Sequence, residues 1–137
     1  MDIEVIPGML WTASLREAED MVSPEAMGAY AQHRIAAVLT VAHDVRPRCV
    51  AVLPQLCLPV REDCRTPSPL FDLACSFALL YGVLLIHCNG GRNRSRVFAA
   101  AIAHKAWAME LDQAVAAAGP PPGHCFDSFI HWARGRQ

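Results

Sequence analysis

The chain has 137 residues, enough for one domain with a single sizeable core and too few for two. Hydrophobic residues make up 53% and mean hydropathy is +0.22. Even so, the longest apolar stretch, Leu70 to Ile86, is interrupted by Asp72 and Gly82, which argues against a spanning helix of about 20 lipid-facing residues. A net charge of −1 and a pI near 6.6 give no global field for nucleic acid or an anionic membrane, so neither partner is expected.

From the N-terminus, MDIEVIPGML has acidic residues where a secretory signal needs basic ones, and a cytoplasmic protein is expected. The six cysteines are then read as reduced thiols, with no C-x-x-C pair to suggest structural zinc. IPGMLW predicts a turn leading into a short strand. Ser23-Pro24 opens a helix, with a hydroxyl at the N-cap and proline at the first helical position. IAAVLTV, from Ile35 to Val41, is a β-branched apolar run of strand length, and Val50 to Val60 contains another, broken by Pro54. Two such runs predict a sheet covered on both faces.

Arg61 to Ser68 is a polar loop that carries Glu62 and Asp63, and Ser68-Pro69 repeats the helix start. LFDLACSFALLY continues that helix to Gly82, and Val83 to His87 is a short buried strand. An alanine-rich helix is predicted from Ser95 to about Met109, then a short one from Asp112 to Ala118. After the GPPPG break, CFDSFIHWA closes the chain as an amphipathic helix. Alternating strands and helices predict an α/β fold, a central mostly parallel sheet flanked by helices, in a single domain over residues 1–137.

Between the last predicted strand and the alanine-rich helix lies Cys88-Asn89-Gly90-Gly91-Arg92-Asn93-Arg94-Ser95. Glycines at 90 and 91 let the backbone wrap with its N–H groups turned inward, and the helix N-terminus adds unpaired N–H groups and a positive dipole end. Such a loop is an anion cradle of phosphate size. A thiol within it is expected to ionise below the free value of about 8.5, which makes Cys88 a nucleophile. Arg94 at the far rim can hold two phosphoryl oxygens, and Ser95 can donate a hydrogen bond to the sulfur.

The stretch resembles the signature of the cysteine-dependent protein tyrosine phosphatase superfamily: His-Cys, five residues, Arg, then Ser or Thr, with a glycine three after the cysteine. His87, Cys88, Gly91, Arg94 and Ser95 match it. IPGMLW, IAAVLTV, LPVRED and the closing LDQAVAAAGPPPGHCFDSFIHW are similar to segments of the small dual-specificity phosphatases. The resemblance implies that fold and a metal-free, cofactor-free hydrolase. Cys88 would attack phosphorus to form a cysteinyl-phosphate, and Arg94 would grip the phosphoryl group within the loop Asn89, Gly90, Gly91, Arg92, Asn93 and Arg94. Ser95 would assist breakdown of the intermediate, and His87 would support the loop. It also implies an aspartate that protonates the leaving group; Asp63 matches best, with Glu62 as the alternative. The expected substrates are phosphorylated proteins, on tyrosine and also serine or threonine, or small phosphomonoesters, and phosphate, sulfate or vanadate should occupy the loop. Within the same superfamily, an RNA 5′-triphosphatase, a phosphoinositide phosphatase or a pseudophosphatase that binds phosphoproteins without turnover are the alternatives.

Overall fold

In the computed structural model the described residues are 3–14, 18, 34–44, 53–61, 63, 65–89, 93–119 and 126–135. The expected Ser23-Pro24 helix, Glu62, Cys64 and the loop residues Gly90, Gly91 and Arg92 lie outside them.

The chain begins with a hairpin where the sequence predicted only a turn and one strand. Strands β1 (Ile3–Ile6) and β2 (Leu10–Ala13) pair antiparallel across the Pro-Gly turn. Gly8 adopts φ 74, a left-handed conformation that a side chain would strain, and its N–H donates to Glu4 Oε2 at 3.0 Å. Glu4 therefore closes the turn from within β1, a contact that four residues of alternating pattern do not announce.

Three more strands complete the sheet: β3 (Ala37–Val41), β4 (Gln55–Leu58) and β5 (Leu84–His87). The order is β1-β2-β5-β3-β4, and among the described residues every pairing except the hairpin is parallel, so the sheet is mixed and mostly parallel. In β3 and β5 every residue is buried, as continuous apolar runs require. By contrast β4 is an edge strand with Cys57 exposed, although Val50 to Val60 reads as an apolar run. Pro54 sits just before β4, where its missing N–H interrupts no ladder, and its carbonyl accepts from Val38 N–H at 3.0 Å.

Helix α1 (Ser68–Tyr81) joins β4 to β5. Its N-cap is Pro67 rather than Ser68, and no side chain caps it; Gly82 ends it at φ 83. Helix α2 (Arg94–Lys105) follows β5, then α3 (Leu111–Ala118) and α4 (Asp127–Ala133). The sequence predicted α2 to run to about Met109, but it stops at Lys105. There His104 Nδ1–H donates to the Met109 carbonyl at 2.8 Å, Met109 N–H returns to Ala103 O at 3.0 Å, and Ala108 takes φ 59. These bonds satisfy end-of-helix groups that alanine propensity alone would have extended past.

Leu10, Leu39, Leu84 and Ile86 face the same core as Phe71, Phe98, Phe129 and Trp132 of the helices. Phe71 stacks on Phe98 at 4.8 Å and meets Trp132 at 5.0 Å, so α1, α2 and α4 share one aromatic cluster. Trp132 Nε1–H donates to Asp72 Oδ1 at 3.0 Å, which satisfies the indole where the cluster reaches the surface. Cys75 is buried beneath, and burial, reinforced by the Asp72 charge, pushes its thiol up to about 12, leaving it an inert hydrophobe. Among the described residues no helix is long and apolar enough to cross a membrane.

The left-handed Ala108 makes a testable demand on the chain. It is exposed, so replacing it with glycine removes Cβ strain without opening a cavity. Ala108→Gly should raise stability by up to about 1 kcal/mol, read as a higher urea midpoint with an unchanged m-value.

Candidate active site

Strand alternation decides where the side chains of the loop segment point. Leu84, Ile86 and Cys88 lie on the face packed against α2, whereas Leu85 belongs to the opposite core with Trp11 and Val38. His87 follows Leu85 to that second face, where its Nε2 lies 2.8 Å from the hydroxyl of Thr40, its register partner on β3. His87 Nδ1 lies 3.3 Å from the Cys88 carbonyl. A carbonyl only accepts, so Nδ1 carries a proton and, in the neutral ring, Nε2 accepts from Thr40. His87 thus grips the backbone of Cys88 from behind the sheet while its ring is buried.

Cys88 itself is 2% exposed, and its Sγ lies 3.5 Å from Oγ of Ser95, which is fully buried. Seven residues apart in sequence, they meet because the chain leaves β5, turns and enters α2 on the same face of the sheet. Asn93 is the N-cap of α2 with no side-chain capping bond, and its carbonyl accepts from Val97 N–H at 3.0 Å. Asn89 and Asn93 are both exposed. Gly90, Gly91 and Arg92, between them, fall outside the described residues.

Arg94 opens α2 and is 4% exposed. Its Nη1 donates to Asp44 Oδ1 at 2.6 Å and to the Val60 carbonyl at 3.1 Å. Asp44, just beyond the end of β3, was missed by the sequence reading, as was Thr40 within β3. The available signal was positional: both sit toward the C-terminal end of a parallel strand whose neighbour, β5, leads into the loop. The hydrogen bond from Arg94, more than any other influence, lowers the Asp44 carboxyl below its ordinary value and keeps it ionised. Arg96 donates from Nη1 to the Gly119 carbonyl at 3.1 Å and ties α2 to the end of α3.

Asp63 occupies the loop that leaves β4. It is exposed, accepts from Arg65 N–H at 3.0 Å, and faces Arg61 Nε at 3.4 Å. The Arg65 backbone bond chiefly, and Arg61 after it, lower its carboxyl. Further along, Thr66 N–H donates to Ser128 Oγ at 3.1 Å, which pins the loop to α4. The structure therefore brings Cys88 and Ser95 together and buries their chain neighbours His87 and Arg94, the arginine side chain held by Asp44 and Val60, while Asp63 stands on a separate, exposed loop. Chemically, a buried thiol at a helix N-terminus, a hydroxyl in reach of it and a buried guanidinium can hold a tetrahedral oxyanion and present sulfur to its centre.

No family model matches the sequence, and no curated protein matches it. Solved structures do. The fold is similar to that of human DUSP28, at TM-score 0.80 and 17% identity, over 98% of this chain and 94% of that one. A mouse putative dual specificity phosphatase complexed with zinc tungstate aligns at TM-score 0.78 and 18% identity, covering 96% of this chain and 85% of the other. PTPMT1 in complex with PI(5)P aligns at TM-score 0.73 and 14% identity, covering 96% and 93%. The chain has the dual-specificity phosphatase fold.

If Asp63 serves as a proton donor, its neighbours set the pH at which it does so. Arg61 stabilises the ionised form, so Arg61→Ala should raise the Asp63 pKa. An acid works only while protonated, so the descending limb of the kcat/KM profile for a phosphomonoester should move to higher pH. A limb that stays in place in Arg61→Ala would remove Asp63 from that role.

Proposed function

We propose that the protein hydrolyses phosphate monoesters through a cysteinyl-phosphate intermediate, acting on phosphorylated tyrosine and also serine or threonine. The observation that carries this reading is the approach of Cys88 Sγ to Ser95 Oγ, 3.5 Å apart at the entry to α2, beside a buried arginine. A structural thiol at a strand end needs neither.

In the first step the Cys88 thiolate attacks phosphorus in line with the scissile ester, forming the S–P bond as the P–O bond to the leaving group breaks. Arg94 holds equatorial oxygens, on which charge spreads, and Asp63 gives its proton to the departing oxygen. In the second step a water attacks phosphorus and yields its proton to the Asp63 carboxylate. The S–P bond breaks with its electron pair on sulfur, and the Ser95 hydroxyl donates to that sulfur. Inorganic phosphate leaves and the thiolate is restored. No metal or cofactor takes part.

That a fold neighbour was crystallised in complex with zinc tungstate supports oxyanion binding by a protein of this fold. Another neighbour, bound to PI(5)P, gives the phosphoinositide alternative its support. The protein reading is preferred here because Lys and Arg (12) do not outnumber Asp and Glu (13), which leaves no excess of positive charge for a polyanionic headgroup.

Turnover of p-nitrophenyl phosphate without added metal, inhibited by orthovanadate, is expected of the wild type. Cys88→Ser should lower kcat by more than about a thousandfold while still binding vanadate or phosphate. Undiminished turnover by that variant would refute the mechanism. Asp63→Asn should lower the rate on alkyl phosphates by about 100-fold and on nitrophenyl phosphate much less, because nitrophenolate leaves without a proton. Equal, small effects would transfer the role to Glu62. Competition between a phosphopeptide, PI(5)P and triphosphate RNA separates the substrate classes.

A further inference from the structure

A guanidinium as deeply buried as that of Arg94 requires a counter-charge, and Asp44 supplies one at 2.6 Å, from a residue that no motif in the sequence includes. Both contacts of the arginine, to Asp44 Oδ1 and to the Val60 carbonyl at 3.1 Å, are made by Nη1. That nitrogen carries two N–H bonds, and two acceptors use both. The edge formed by Nε–H and the inner Nη2–H, on the other side of the planar fork, is the edge that pairs with two oxygens of a phosphoryl group.

We propose that Asp44 is the positioning residue of Arg94, fixing the rotation of the guanidinium so that its Nε/Nη2 edge is presented to the oxyanion. This rests on the phosphatase reading above. Asp44 touches no substrate and acts through the arginine. The Val60 carbonyl is the second fixed point and is itself held: His43 N–H donates to it at 2.9 Å, and His43 Nδ1 lies 3.2 Å from the same oxygen, so that ring nitrogen carries a proton. Residues 43 and 44, just beyond the end of β3, thereby lock together the arginine and the backbone of Val60, on the segment that leads to Asp63. An arginine freed to rotate would still be charged, yet it would bind the oxyanion through one N–H or in the wrong plane.

The test uses the full chain, with orthovanadate inhibition and p-nitrophenyl phosphate kinetics measured well below the melting transition of every variant. Asp44→Asn keeps the size and removes the charge; it should raise the vanadate inhibition constant and lower kcat/KM by about 10- to 100-fold. Asp44→Glu, which keeps the charge, should recover most of both. Unpairing a buried cation also weakens the fold, so the decisive readout is coupling. In an Arg94→Lys background, where there is no planar fork to orient, Asp44→Asn should bring little further loss. Vanadate binding by Asp44→Asn equal to that of the wild type, or losses that simply multiply across the two sites, would overturn the proposal while leaving the phosphatase reading standing. A wild type that neither binds vanadate nor turns over would instead overturn the phosphatase reading and this inference with it.

Discussion

Arg94 carries its charge to a depth where it is 4% exposed, and an unpaired guanidinium there would destabilise the folded state by roughly 3–5 kcal/mol. Much of the surrounding backbone is arranged to prevent that. Strand β3 ends at Val41, so that the chain can turn and bring the Asp44 carboxylate to Nη1. Strand β4 ends at Leu58, and Val60 lies beyond the ladder with its carbonyl free to accept from both Arg94 and His43. Helix α2 starts at Arg94 itself. One buried cation thus draws its partners from just beyond the ends of two strands, at the residue where α2 begins.

Parallel pairing brings those ends together. Ala13 on β2 and Thr40 on β3 both register with His87 on β5, and Val41 on β3 registers with Leu58 on β4. Four strands therefore finish at nearly one level, and the segments that follow them open onto the same edge of the sheet, where ligands of α/β folds are usually bound. An antiparallel sheet would have sent alternate loops to the opposite edge. Among the described residues the hairpin of β1 and β2 is the one antiparallel pair, and it lies at the side of the sheet away from β3 and β4.

Much of this could be read from the residues, and where it could not the reason is physical. Mostly apolar runs of strand length marked β3 and β5, because strands buried on both faces cannot alternate between apolar and solvated residues. Gly82 marked the end of α1 through its left-handed φ. The early stop of α2 was hidden, since it depends on the His104 ring reaching a carbonyl five residues on, and local propensity contains no such term. The pairing of Cys88 with Ser95 lies within one short segment and was legible from strand, turn and helix in succession. The Asp44–Arg94 pair spans fifty residues and three intervening elements; only the register of β3 on β5 brings its partners within reach.

The composition of α2 has a part in the same arrangement. From Val97 to Ala103 every residue is buried, so the helix is enclosed on all sides, by the sheet on one and by α1, α3 and α4 on the others. Only small side chains permit so many neighbours to close on one helix, and the sequence supplies four alanines in that span, with Phe98 and Ile102 filling the remaining volume. A helix packed in this way has little freedom to shift along or about its axis. Its first two residues, Arg94 and Ser95, are consequently held as rigidly as the core itself, whereas Asp63 stands on an exposed loop secured by its own Arg65 amide and by Ser128. The division suits the two-step transfer proposed above: the groups that would hold phosphorus through both steps are anchored in the interior, and the group that would exchange protons with a leaving group and with water is kept in contact with solvent.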